Sequence, residues 1–159
     1  MQEEEASRLI AQLELKPHPE GGFYAETFRS AIDVGAPGAA RAALTSIYYL
    51  LSAADFSAFH RLRSDEIWHH YRGAPVAVEM IDADGWRRQA VLGDGNAWQA
   101  AIPAGSWFAA HVLDAGAWAL VGCDVAPGFT FDEFELGTHA QLAAAFPQHG
   151  PLVERFTRE

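Results

Sequence analysis

The densest run of functional side chains in this sequence is His60-Arg-Leu-Arg-Ser-Asp-Glu66-Ile-Trp-His-His70-Tyr-Arg-Gly73. With one strand ending near Leu62 and the next beginning near Asp65, His60 shares a face with Leu62, and Glu66 shares one with Trp68 and His70. The reason is that side chains alternate along a strand. An imidazole and a carboxylate on neighbouring strands, both turned inward, make an acid–base pair or two ligands of a metal. The same pattern also suits a histidine that bonds a glutamate to support the fold, with Asp65, His69 and Arg72 on a wet outer face. Around His60 and Glu66, the aromatic residues Trp68, Phe108, Phe129, Phe131 and Phe134 offer stacking surfaces. An apolar-walled pocket with a few convergent polar groups takes one small ligand, and sugars stack well on Trp and Phe.

A second cluster is His18-Pro-Glu20-Gly-Gly22. Paired glycines permit positive φ or a close backbone approach, and the prolines stiffen the entry. A structural turn accounts for this; the functional alternative carries Glu20 and Glu26 to the pocket mouth as further acid groups. His111 is odd in register against Phe108 and is expected to point outward. The acidic run Asp132-Glu133-Glu135 reads as solvated surface, with Asp132 beside the Phe residues as its one candidate. Cys123 lies in an apolar strand run and reads as an inert buried thiol.

The elements that must position these groups are mostly strands. Glu3, Glu4 and Glu5 in a first turn, followed by Leu9, Ile10 and Leu13 at helical spacing, predict a short amphipathic helix ended by Pro17 and Pro19. From Phe23 to about residue 29 the period becomes two, and residues 31–40 read as a loop. Strand-like runs follow near 43–51, 56–62, 65–72, 75–82, 86–92, 97–102, 107–113, 117–125 and 129–136, punctuated by Asp84-Gly85 and Gly93-Asp-Gly-Asn96. Short strands at this spacing without intervening helices indicate an all-β sandwich or barrel. Thr138 with Gln141 is a capping-box pattern opening a helix that Pro147 stops, and Gly150-Pro151 starts a last helical turn.

The chain has 159 residues, one domain's worth, with no linker or repeat to divide it. Lys plus Arg number 11 and Asp plus Glu 21, a net charge of −10, which argues against a nucleic-acid backbone binder. The single cysteine makes neither an intramolecular disulfide nor a Cys-rich metal site. The acidic start and the lack of an apolar run long enough to span a bilayer predict a cytoplasmic protein with no membrane partner.

His60, five residues, Glu66, six residues and Gly73 resemble the first motif of the cupin superfamily, and Pro103-Ala-Gly105 resembles the centre of its second. Three further segments resemble a largely uncharacterised cupin subfamily. They are Lys16-Pro-His18-Pro-Glu20-Gly-Gly22-Phe-Tyr24, Ser64-Asp-Glu66-Ile-Trp68-His69 and Val125-Ala-Pro127-Gly-Phe129. The resemblance implies an all-β double-stranded β-helix (a jelly-roll barrel) with short terminal helices. In metal-binding cupins two further histidines stand where this sequence has Leu62 and Phe108, so no cofactor is expected. A metal, if recruited, falls to His60, Glu66 and His70.

The resemblance also implies the function classes. The first is a small-molecule-binding cupin acting as a metal-independent carbohydrate or sugar-nucleotide isomerase or epimerase. Here His60 takes a proton α to a carbonyl, Glu66 orients it, and Tyr48 or Tyr71 returns a proton. Trp68, His70, Phe108, Phe129, Phe131, Glu20 and Glu26 contact the ligand. The rivals are a metal-dependent oxygenase or isomerase and a non-catalytic binding or storage module. A homodimer is expected, paired through the edge strand at residues 23–29.

Overall fold

The structure, a computed structural model, describes residues 1–158. After the helix α1 (Gln2–Gln12), thirteen strands follow. They are β1 (Lys16–Pro17), β2 (Phe23–Arg29), β3 (Asp33–Val34), β4 (Arg41–Ala42), β5 (Thr45–Ser52), β6 (Ser57–Arg61), β7 (Asp65–Gly73), β8 (Val76–Ile81), β9 (Arg87–Leu92), β10 (Gln99–Ile102), β11 (Trp107–Val112), β12 (Trp118–Ala126) and β13 (Glu135–Leu136). The chain closes with α2 (His139–Ala145) and α3 (Gly150–Arg155).

Two antiparallel sheets face each other, one ordered β1-β2-β5-β12-β7-β10 and the other β13-β6-β11-β8-β9. This is the jelly-roll sandwich expected from the resemblance. Alternation decides what each strand buries. On the larger sheet Ile47, Tyr49, Leu51, Trp68, Val121 and Cys123 turn inward, where they meet Val78, Met80, Phe108 and Ala110 of the smaller sheet.

The outward faces are partly covered too. Phe59, Ile81, Trp107 and Ala109 pack beneath Leu142 of α2 and Val153 of α3, joined by Phe156. Strands β8 and β11 are therefore buried on both faces, which explains why they read as continuous apolar runs rather than alternating ones. On the other side α1 lays Ala6 and Leu9 on Leu50, Trp118 and Leu120. Thr138 caps α2 through its hydroxyl, which accepts from the Gln141 amide at 3.2 Å.

Two elements depart from the expectation. The loop at 31–40 is spanned by a small ladder between β3 and β4. The last expected strand, 129–136, is instead a 3-10 turn at Phe131–Glu133 followed by the two residues of β13. Side-chain demand explains this. Phe129, Phe131 and Phe134 pack on one another with ring centroids 5.0–6.3 Å apart, an arrangement that strict alternation cannot give. Glu133 meanwhile turns back to Arg41 and to the Ser64 hydroxyl. Strand β2 pairs with β5 along its length and with β1 only at Phe23 and Tyr24.

Candidate functional site

At one end of the sandwich the sheets enclose a cavity of about 170 Å³. His18, Glu20, Tyr24, Tyr49, His60 and Glu66 supply its polar wall. Leu62, Cys123, Val125 and the aromatic trio Phe129, Phe131 and Phe134 supply its apolar wall.

His60 on β6 is buried, and both ring nitrogens are engaged. Nδ1 lies 2.7 Å from the Ala58 carbonyl oxygen, an acceptor, and Nε2 lies 3.0 Å from Glu20 Oε2. An acceptor at each nitrogen favours the imidazolium form of the ring. Burial alone would lower its pKa, but the Glu20 carboxylate outweighs burial and raises it. Glu20 is the reciprocal case. Burial pushes its carboxyl up, yet the charge and hydrogen bond of His60, with a donor from Ser57 at 3.0 Å, hold it below the usual range. The direct partner of His60 is thus Glu20, which the sequence did not pair with it, while Glu66 lies in the same cavity and acts on His60 through its charge.

The pair exists because of the turn that delivers Glu20. Gly21 and Gly22 have φ of 114° and 68°, and a Cβ on Gly21 would sit 2.2 Å from the Phe56 carbonyl oxygen. The loop is fastened by Ala58 N donating to Glu20 O at 2.8 Å and by Tyr49 Oη donating to Gly21 O at 2.8 Å. Replacing Gly21 by Ala is expected to lower stability by about 2 kcal/mol or more, from left-handed strain plus the clash. Thermal unfolding checks the loss, and displacement of Glu20 from His60 should appear in the histidine NMR spectrum.

Glu66 on β7 behaves oppositely to Glu20. Its Oε1 accepts the Trp68 indole N–H at 2.8 Å. Burial and the nearby Glu20 charge raise its pKa, His60 partly offsets this, and the carboxyl ends at about 7. The two carboxyls of this one pocket thus have their pKa values driven apart. His18, which sequence reasoning left out of the site, lies against Glu20 with its side chain buried. Burial lowers its pKa, so the ring stays neutral.

The remaining sequence candidates separate by depth. Trp68 and Phe108 are almost fully buried and do not line the cavity; they lie behind its wall, Trp68 holding Glu66 and Phe108 packed at a tilt with its ring centroid 4.0 Å from that of His60. His70 shares the inward face of Glu66 but sits four residues, about 13 Å, farther along the strand. There it bonds the Ala74 carbonyl and packs on Trp98, away from the cavity. Phe129 and Phe131 line the mouth as expected, and Glu26 is there too, held in a bidentate pair with Arg29.

Tyr48 and Tyr71 lie edge to face on the outer surface, 6.1 Å apart, so neither is the pocket tyrosine; Tyr24 and Tyr49 are. His111 points away from the cavity, stacked on Phe156. Asp132 is exposed, while Glu133 and Glu135 pair with Arg41 and Arg61 rather than facing only water. Cys123 is buried but lines the cavity, and burial keeps its thiol protonated.

The donor set does not suit the metal that the fold implies in other members. Both His60 nitrogens are engaged, one Glu66 oxygen is held by Trp68, and His70 is remote. Among the described residues no three or more His, Cys, Asp or Glu side chains converge as a metal site. Among them, too, no helix is long and apolar enough to cross a membrane.

A jelly-roll sandwich with a polar wall in one mouth is the architecture of a cupin. The chain belongs to the family described as "Cupin superfamily (DUF985)", whose profile matches residues 7–137. It is similar to the solved structure of a hypothetical protein from Leishmania major, with 35% identity over 97% of this chain and 99% of that one, TM-score 0.90. It is also similar to a structural-genomics protein from Shewanella oneidensis, with 39% identity over 96% and 97%, TM-score 0.89. A cupin 2 domain-containing protein from Halorhodospira halophila shares the fold, with 16% identity over 91% and 88%, TM-score 0.59. A comparison with curated proteins gave no match.

Proposed function

We propose that the protein is a metal-independent isomerase or epimerase acting on a small hydroxy-carbonyl compound of the carbohydrate class, with Glu66 as the proton carrier. The observation that carries this reading is a buried carboxyl with a pKa of about 7 on the wall of a small-molecule cavity. A general acid–base is most effective when its pKa lies near the working pH. Glu66 meets that condition, and His60, with both nitrogens engaged, does not have a free lone pair for the task.

In this mechanism the Glu66 carboxylate takes a proton from the hydroxyl-bearing carbon next to a carbonyl and returns it to the carbonyl carbon, while the hydroxyl proton passes to the carbonyl oxygen. A single carboxyl suits such a 1,2-shift; epimerisation requires a donor on the opposite side, for which Tyr24 is the candidate. The His60–Glu20 ion pair supplies a fixed, net-neutral dipole beside the site, and the Phe129, Phe131 and Phe134 rings supply a stacking wall for a sugar's C–H face.

The test is solvent-deuterium uptake in chelator-treated buffer with a panel of aldoses, ketoses, keto-sugar nucleotides and keto acids. Incorporation at a carbon adjacent to a carbonyl, rising with pH through about 7 as Glu66 ionises, is expected. Tight binding of a panel compound without any exchange would favour the non-catalytic module instead. A homodimer formed along residues 25–29 of β2 is proposed alongside, on the exposure of Phe28 and the ladder edge left beyond β1. Light scattering at micromolar concentration should give twice the chain mass, and a monomer overturns it.

A further inference from the structure

His18 has no role in the proton transfer as described, yet it is the most constrained neutral polar group in the cavity. The Glu20 backbone N–H donates to His18 Nδ1 at 3.2 Å. An amide N–H can only donate, so Nδ1 must carry the lone pair and the ring hydrogen must be on Nε2. Nδ1 also lies 3.5 Å from Glu20 Oε2, which would be a bond only if Nδ1 were protonated. Protonation there would strip the buried Glu20 amide of its acceptor, and burial, aided by the His60 charge, outweighs the pull of the Glu20 carboxylate and opposes a second cation.

The ring is held on three sides by Tyr24, Tyr49 and Phe134, with centroids 4.7, 6.2 and 5.6 Å away. Its side chain is only 7% exposed. The hydrogen bond of the ring among the described residues is made by Nδ1, with none from Nε2, and His18 lines the cavity. A rotationally fixed, neutral N–H donor is therefore presented to the cavity without a protein acceptor.

We propose that His18 Nε2–H receives the substrate's carbonyl oxygen and stabilises the enediolate formed when the adjacent carbon loses its proton. This rests on the proton-transfer reading of Glu66, and it confines the substrate to compounds whose reacting carbon adjoins a carbonyl. The step balances. The α-carbon's proton passes to Glu66, and the C–H pair becomes the C=C bond. The carbonyl π pair moves onto oxygen, where His18 donates a hydrogen bond and keeps its own proton. A neutral imidazole suits this role, because a donor that remains protonated strengthens its bond as charge grows on the oxygen and is not itself titrated.

The experiment uses the full chain with 15N-labelled histidine and, as probe, L-ascorbate under nitrogen, a stable enediolate at neutral pH. In the ligand-free protein the His18 signals should show a non-protonated Nδ1 and a protonated Nε2 between pH 6 and 8. Ascorbate should shift the Nε2–H signal downfield. His18→Ala should weaken ascorbate binding about tenfold or more, as expected for losing a hydrogen bond to a charged group. His18→Gln, which returns an N–H near the same place, should recover part of the loss. An Nδ1–H tautomer, an imidazolium at pH 7, no ascorbate binding, or binding unaffected by His18→Ala each overturns the assignment. If ascorbate binds through His18 but no panel compound exchanges deuterium, the donor assignment stands and the isomerase reading fails.

Discussion

Glu66→Gln abolishes proton exchange and at the same time makes the protein more stable at alkaline pH. The first effect should be about 10²–10⁴-fold, the usual contribution of a positioned general acid–base. The second follows from linkage. The Glu66 carboxyl goes from the ordinary 4.5 to about 7 on folding, chiefly by burial. Between these values the folded state holds a proton that the unfolded state has released, so stability falls as pH rises from 4.5 to 7 and stays low above. A shift of that size corresponds to about 3 kcal/mol at pH 8. Gln is neutral at every pH, fills the same space and still offers an oxygen to the Trp68 indole. Urea unfolding at pH 8 should therefore show the variant more stable by about 3 kcal/mol, and the two proteins should converge below pH 4.5. A variant less stable than the parent at pH 8 would mean that the fold stabilises the Glu66 carboxylate instead of opposing its charge, and the acid–base reading would be lost. Loss of activity with gain of stability is the signature of a site held in a strained electrostatic state for function.

Glu20→Gln has the opposite consequence for stability. It removes the counter-ion of a buried imidazolium, and breaking one side of a buried ion pair costs about 3–5 kcal/mol. The pH dependence has two limbs. Glu20 has its carboxyl held down on folding, by the His60 charge and hydrogen bond against the push of burial. Its contribution is present above 4.5 and is lost as pH falls through the depressed value. His60 has its pKa raised, the Glu20 carboxylate outweighing burial. Its contribution is full below 6.5 and is lost as pH rises through the raised value. The pair therefore stabilises most between those limits, and the difference between parent and Glu20→Gln should be largest near pH 5–6, measured by the same unfolding series. A difference that is flat with pH would show that Glu20 and His60 are not an ion pair.

Alternation made much of this site legible. Glu66 and Trp68 point inward together because the strand period is two, and the same rule placed His111 outward; it did not choose between Tyr48 and Tyr71, both of which lie outside the cavity. Alternation specifies a face but not a depth, which is why His70 has the inward parity of Glu66 and yet lies away from the cavity. It is equally silent on which residues from distant segments meet. Glu20 and His60 are joined by a reversal at Gly21-Gly22 and by one backbone hydrogen bond, from Ala58 N to Glu20 O. The available signal was the pair of glycines hemmed by prolines. His18 could have been singled out with Glu20 from that same motif. The segment after Phe129 departs from a strand because Phe129 and Phe131 alternate while Phe134 does not, and the turn between them answers to packing over the cavity mouth.

The central claim is that Glu66 is a carboxyl titrating near neutrality, and it can be measured without knowing the substrate. Carbon-13 NMR of protein labelled at the glutamate side-chain carboxyl, with Glu66→Gln to assign the signal, follows that one group through pH 4 to 9. A midpoint near 7 is the predicted result. A midpoint near the ordinary 4.5 would contradict the account, because Glu66 would then be fully ionised at pH 7 and the cavity would hold no group poised to carry a proton in both directions.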